Sequence, residues 1–234
     1  MTQRAQFASV PLLPSWFRLA ALIVVAACAL IVTALGALYH GGSAAGRLDA
    51  TVARHLPGIG SQVGSDLAAT AHLGSQLPAT VLTAVLCYCC LALHRYRGAI
   101  MVAVSVPAAA ALTEYVLKPL IHRTLSGYLS MPSGHETTAF AMVTCVVVLL
   151  ASPPGRTAPA SLRVVLAVCA LGVGCAVAMG LVVAQMHYFT DTIAGAAVGT
   201  GVTLAVALTL DAAGRCRTPV QASAAVPAEQ TPVP

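Results

Sequence analysis

The chain has 234 residues, 58% of them hydrophobic and only 8% charged, with a mean hydropathy of +0.86. A soluble domain carries about 25% charged residues, so this chain cannot cover a water-facing surface, and its continuous apolar runs exclude the alternating pattern of a membrane β-barrel. The net charge of +5 comes mainly from Arg residues scattered between those runs, which argues for membrane orientation and against a nucleic-acid partner.

Residues 1–17 read as a short cytoplasmic segment with Arg4 and a Pro-Leu-Leu-Pro stretch. Arg18 then precedes the apolar run Leu19–Tyr39. A secretory signal has an apolar region of only about 7–15 residues, so this run is predicted to be an uncleaved first span, with cleavage near Ser43-Ala44-Ala45 as the lesser alternative. Residues 40–76 are Gly-rich and mildly polar, with Arg47, Asp49, Arg54, His55, Asp66 and His72. Two pieces, Ala45–Leu56 and Ser61–Leu73, are predicted as short helices lying along the interface, divided by Leu56-Pro57-Gly58. Their His residues are read as surface groups.

Further runs cover Leu77–Leu93, Gly98–Leu117, Thr137–Ala151, Val164–Ala184 and Thr192–Leu210, each near the ~20 residues that cross a bilayer as a helix. Seven of the eight Cys fall inside these runs, where Cys packs as a small hydrophobe, and the Cys87-x-x-Cys90 pair is read the same way. The fold class is therefore an all-α polytopic membrane protein with six spans over residues 18–211, followed by a disordered cytoplasmic tail over 212–234. Six spans place Arg4, Arg18, Arg95, Arg97, Arg156, Arg163, Arg215 and Arg217 on one side. The positive-inside rule makes that side cytoplasmic, with both termini on it. Eleven Arg against one Lys, with abundant Ala, Val and Gly, point to a GC-rich bacterial genome and hence to a plasma or inner membrane.

Two polar patches then share the outer face. The first, Lys118–His135, holds the only Lys of the chain, Arg123, His122 and a Pro132-Ser133-Gly134-His135 turn before an apolar run. The free N–H groups of a helix start attract phosphate. Gly134 permits close approach, Ser133 offers a hydroxyl, and Lys118 and Arg123 supply charge, Arg by a bidentate fork. Glu114 is one turn before Lys118 and is positioned to hold its ammonium. The second patch, Gln185–Asp191, carries His187 and Asp191. An imidazole whose second nitrogen faces a carboxylate is fixed in tautomer and made a better nucleophile or base. His135 then serves as general acid for a departing alcohol. Phosphoryl transfer needs chiefly positioning and stabilised charge, which this set supplies without a metal or other cofactor.

In Gly195-x-x-x-Gly199, and in Gly172, Gly174 and Gly180, the spacing of small residues predicts close helix approach.

These residues resemble the type-2 phosphatidic acid phosphatase superfamily of integral-membrane lipid phosphatases, relatives of the vanadium haloperoxidases. That family carries Lys-x6-Arg-Pro, Pro-Ser-Gly-His and Ser-Arg-x5-His-x3-Asp. Pro132–His135 matches the second motif in full, His187 and Asp191 match the end of the third, and Lys118 opens the first. The resemblance covers residues 98–210. It implies a phosphohistidine mechanism, with His187 as nucleophile, Asp191 as its orienter, His135 as acid, and Lys118, Ser133, Gly134 and a basic partner around the phosphate. The implied substrate is a phosphorylated membrane lipid: a polyprenyl (di)phosphate, phosphatidate or phosphatidylglycerol phosphate.

Two positions depart from the pattern. Leu125-Ser126 stands where the family has Arg-Pro, and Gly180-Leu181 where it has Ser-Arg. Losing one charged transition-state contact costs on the order of 2.7–4 kcal/mol. Arg123 is the nearest substitute, with His122, Arg47 and Arg54 as further candidates. A weak or inactive member that binds or transports a phosphorylated lipid is the alternative reading.

Overall fold

The computed structural model describes residues 11–56, 61–151 and 159–216. Arg4, Arg156, Arg217, the Pro57-Gly58 break and the tail beyond 216 lie outside the described residues. In chain order the helices are α1 (Ser15–Tyr39), α2 (Arg47–His55), α3 (Ser61–Thr70), α4 (Gln76–Ala92), α5 (Tyr96–Ile121), α6 (Gly134–Ala151), α7 (Ala160–Val183) and α8 (Phe189–Cys216). A 3-10 turn, Ala71–Gly74, joins α3 to α4. A small hairpin, β1 (Thr124–Leu125) with β2 (Tyr128–Leu129), follows α5 in antiparallel register.

Five helices, α1, α5, α6, α7 and α8, are long and apolar enough to cross a membrane. With 17 residues, α4 reaches about 25 Å at ~1.5 Å per residue, short of the ~30 Å hydrocarbon core. It qualifies only together with Ser61–Gly74, from which it bends by 62°, the chain passing through extended backbone at Ser75. The spans thus number five, or six if that bent pair is one. Large side chains such as Leu19, Leu30, Leu77, Val164 and Val168 stand exposed on the outside of the bundle, a surface that lipid covers more readily than water.

The inner helices are α6 and α8, whose most apolar stretches are half buried, against 17% for α1 and 22% for α7. Glycine makes that possible. A Cβ on Gly195 would meet the Ser133 carbonyl, and one on Gly199 would strike the Thr137 carbonyl, so the α8 backbone lies directly on α6. On α7, Gly174 takes the Phe140 ring, Gly180 takes the Leu67 carbonyl of α3, and Gly172 faces open space. Hydroxyl pairs add cross-links, Thr113 to Thr137 at 3.1 Å and Thr144 to Thr200 at 3.3 Å.

Ser61–Leu73 is helical, as Ser61–Thr70 followed by a 3-10 turn over Ala71–Gly74. The Thr70 hydroxyl donates to the Ala176 carbonyl at 2.8 Å, and α3 packs against α7 at Gly180. The last helix also continues past Leu210 to Cys216, because its polar residue there is satisfied. Asp211 is 2% exposed and accepts the Leu12 and Leu13 amides at 2.8 and 2.9 Å, with Arg97 at 3.1 Å.

Candidate active site

The final turns of α5 open the site. Pro107 stands inside the helix and removes one backbone donor. Leu112–Leu117 then winds as a wider π-helix, a feature frequent at functional sites. Lys118 Nζ is 2.7 Å from Glu114 Oε1, and the Glu114 carboxylate packs against Gly134, where any Cβ would collide with it. The Lys ammonium is thereby held beside the start of α6.

His122 leaves the helix in a left-handed conformation, φ 53°, and is exposed. That reversal turns the next side chain, Arg123, into the protein. Ser126 and Gly127, both with positive φ, close the hairpin. The chain leaving α1 is pinned alongside: the Gly41 amide donates to the Ile121 carbonyl at 3.0 Å and the Thr124 amide to the Gly42 carbonyl at 2.9 Å.

Ser133 is the N-cap of α6. It is 0% exposed, its hydroxyl accepts the Glu136 amide at 3.4 Å, and its own amide donates to the Asp191 carbonyl at 3.0 Å. At the start of α8, Asp191 Oδ2 accepts the Tyr188 amide at 3.0 Å, a carboxylate reaching back over the first turn. The two patches are therefore joined backbone to backbone. His135 and His187 face each other with ring centroids 6.4 Å apart. His187 Nδ1 is 3.8 Å from Asp191 Oδ2, and the nitrogen is buried with no hydrogen-bond partner among the described residues. Such contacts are often long before substrate binds.

A cavity of about 1060 Å³ begins at this point. Lys118, Glu114, Gly134, His135 and His187 line its head. From there it runs between α4 and α5, past Ala79, Thr83, Ala84, Val106 and Ala110, to Cys87 and Ala103. Between α4 and α5 the wall is mainly apolar and built of small side chains, with Thr80 and Thr83 among them.

Of the residues singled out in the sequence, Lys118, Glu114, Gly134, His135 and His187 line the cavity, and Asp191 stands behind His187. Arg123 and Ser133, expected from the sequence among the phosphate-binding groups, are not among the residues lining it. The Ser133 hydroxyl accepts the Glu136 amide as a helix cap. Arg123 is 0% exposed: Nη1 donates to Asp191 Oδ1 at 2.6 Å and to the Thr190 hydroxyl at 2.7 Å, while Nη2 donates to Asp49 Oδ2 at 2.7 Å and to the Ala44 carbonyl at 3.3 Å. Its guanidinium is sandwiched 4.0 Å from the Tyr39 ring and 4.2 Å from the Tyr188 ring. His122, Arg47 and Arg54 are exposed and do not line the cavity either.

Asp49 is the site residue that sequence reasoning passed over. It is 3% exposed, on the first turn of α2. Its Oδ1 accepts the Thr190 amide at 2.8 Å, and its Oδ2 accepts the Gly46 amide at 3.0 Å and the Thr190 hydroxyl at 3.1 Å. Burial works against its charge, but the Arg123 guanidinium and these donors prevail and hold the carboxyl below the usual range. The two motif departures also have distinct settings. Leu125 lines the cavity, whereas Leu181 is 0% exposed and packs with Ala71, Ala139 and Val177.

A family model described as the PAP2 superfamily matches residues 79–215, more than half of the chain and including every residue at the head of the cavity. Neither the curated proteins nor the solved structures contain a significant match. The apolar helices, the Pro-Ser-Gly-His turn at the start of α6 and this match agree, and the chain belongs to the PAP2 superfamily, whose members are generally phosphatases.

Proposed function

We propose that the protein hydrolyses a lipid-borne phosphomonoester or diphosphate at the outer face of the membrane, through a phosphohistidine at His187. The observation that carries this reading is one continuous cavity. At its head are two imidazoles, one ammonium and a helix N-terminus, and its remainder is an apolar channel along α4 and α5. A phosphate at the head and a hydrocarbon chain in the channel match those two chemistries.

In the proposed reaction, the His187 nitrogen remote from Asp191 attacks phosphorus. The bond from phosphorus to the lipid oxygen breaks, and that oxygen takes a proton from His135. Water then attacks phosphorus, giving a proton to His135; the phosphorus–nitrogen bond breaks with its electron pair returning to His187, and phosphate leaves. The rise of positive charge on His187 is met by Asp191, which is held by Arg123 and the Tyr188 amide. Lys118 and the free amides of α6 near Gly134 take the phosphate oxygens. With Leu125 and Leu181 in place of two guanidinium groups, Lys118 is the one Lys or Arg among the described residues lining the cavity. The positive-inside distribution of Arg supports an extracytoplasmic site.

The test is phosphate release from dioleoyl phosphatidate and farnesyl diphosphate by the purified full chain in EDTA, comparing wild type with His187→Ala. Turnover by the wild type and its loss in the variant are expected. Equal rates in the two would sink the mechanism. Saturable lipid binding without turnover would instead favour the binder or transporter that the missing Arg residues motivate.

A further inference from the structure

Asp49 belongs to no motif and lies 142 positions before Asp191, yet both carboxylates hold the same guanidinium. The way they divide it is informative. Arg123 presents Nη1 to Asp191 and Nη2 to Asp49, so Asp191 is engaged through Oδ1 alone. Its Oδ2 keeps only the Tyr188 amide, and this is the oxygen 3.8 Å from His187 Nδ1. A planar guanidinium facing a single carboxylate prefers the bidentate fork, which would occupy both oxygens. Asp49 prevents that by claiming the second prong. It also accepts the amide of Thr190, one residue before Asp191, and so fixes the first turn of α8 from outside the helix.

The arrangement also has a charge logic. One guanidinium between two carboxylates, with side chains 0%, 2% and 0% exposed, leaves an excess negative charge shielded from water. Tyr39 and Tyr188 close the two faces of the guanidinium. His187, 3.8 Å from Asp191 Oδ2 and on the cavity side, is placed to answer that charge.

We infer that Asp49 is a positioning residue for the proposed reaction: by holding one arm of Arg123 it keeps Asp191 singly engaged and its second oxygen turned to His187. The inference rests on the roles proposed for His187 and Asp191. It assigns a catalytic consequence to the segment between α1 and α3, which contributes no group to the head of the cavity through α2.

The test is a double-mutant cycle on the full chain in detergent, with dioctanoyl phosphatidate or farnesyl diphosphate as the probe. Asp49→Asn keeps the shape and an acceptor for Thr190 but removes the charge. The expected result is a fall in kcat of at least tenfold with KM unchanged within twofold. In an Asp191→Asn background, the same Asp49→Asn change should alter kcat by less than twofold, since its route to His187 is already cut. If Asp49→Asn does not fold, Thr190→Val serves in its place. That variant removes the hydroxyl shared by Arg123 and Asp49 and should lower kcat several-fold with the same dependence on Asp191. A Tm change with kcat unaltered, or equal losses of kcat with and without Asp191, overturns the inference while the phosphatase stands. Absence of turnover by the wild type overturns both.

Discussion

Replacing Arg123 with Gln separates two accounts of that residue. Were it a phosphate ligand, its loss would weaken substrate binding and leave the fold intact. In the structure it is instead the one cation between Asp49 and Asp191, with all three side chains 2% exposed or less. Because the pairs are dry, solvent screening does not discount them. Removing one partner of a buried ion pair costs about 3–5 kcal/mol, since a charge is left uncompensated. Here two are left, and two aromatic stacking contacts, each worth about 0.5–2 kcal/mol, go as well. Relaxation and protonation of one carboxylate offset part of this, so about 4 kcal/mol is the expected loss. For a chain of this size ~1 kcal/mol shifts Tm by about 2–4 °C, which gives a fall on the order of 10 °C. Buried Cys28, Cys90 and Cys145 are free thiols and provide the assay: a thiol-reactive fluorophore followed against temperature in detergent. An unchanged Tm combined with a raised KM would refute the reasoning and return Arg123 to the phosphate site.

Other outcomes follow from the same geometry. Leu125 lines the cavity, so Leu125→Arg should raise kcat/KM at least tenfold, while Leu181→Arg drives a guanidinium into packed apolar side chains and should abolish folded protein; phosphate-release kinetics and size-exclusion profiles check the pair. Ala110→Phe should obstruct the channel and suppress turnover of long-chain lipid phosphates, leaving para-nitrophenyl phosphate hydrolysis within about twofold of wild type in parallel assays of both substrates. The pH dependence of stability has a definite sign at Asp49. Its carboxyl is held below its ordinary value of 3.8, so its stabilisation is fully present above that pH and fades as pH falls through the depressed value. The Tm deficit of Asp49→Asn should therefore be constant from pH 7 to about 5 and shrink below 3.8.

The membrane helices were legible because hydrocarbon imposes a length and an apolar composition that no soluble helix must meet. The seat of α3 on α7 was not legible in this way. Ser61–Thr70 is only mildly polar and short, and nothing local shows that Gly180, far along the chain, offers it a seat. The grouping at the head of the cavity was legible wherever the residues share one short stretch: Pro132–His135, His187 with Asp191, and Glu114 with Lys118 across one turn. At Ser133 a local signal existed for a second role: Ser133-x-x-Glu136 at the start of an apolar run has the spacing of a capping box, and the Ser133 hydroxyl accepts the Glu136 amide. Arg123 could not be placed from sequence, because its partners at Ala44, Asp49 and Thr190 come from other elements. Its charge looked available only because the two carboxylates that consume it are remote in sequence. The acid beside the Pro-Ser-Gly-His turn, Glu136, is 0% exposed, and neither carboxylate oxygen has a hydrogen-bond partner among the described residues; its Cβ lies against Gly195 of α8.

The most direct test of the central claim is to trap the intermediate. Full-length protein mixed with 32P-labelled phosphatidate and quenched in alkali within milliseconds should carry label that is stable to base, labile to acid and located on His187. Wild-type protein should give this signal, Lys118→Ala should diminish it, and His187→Ala should give none. Label retained in His187→Ala, or turnover by wild type with no base-stable label at any quench time, would contradict the phosphohistidine account.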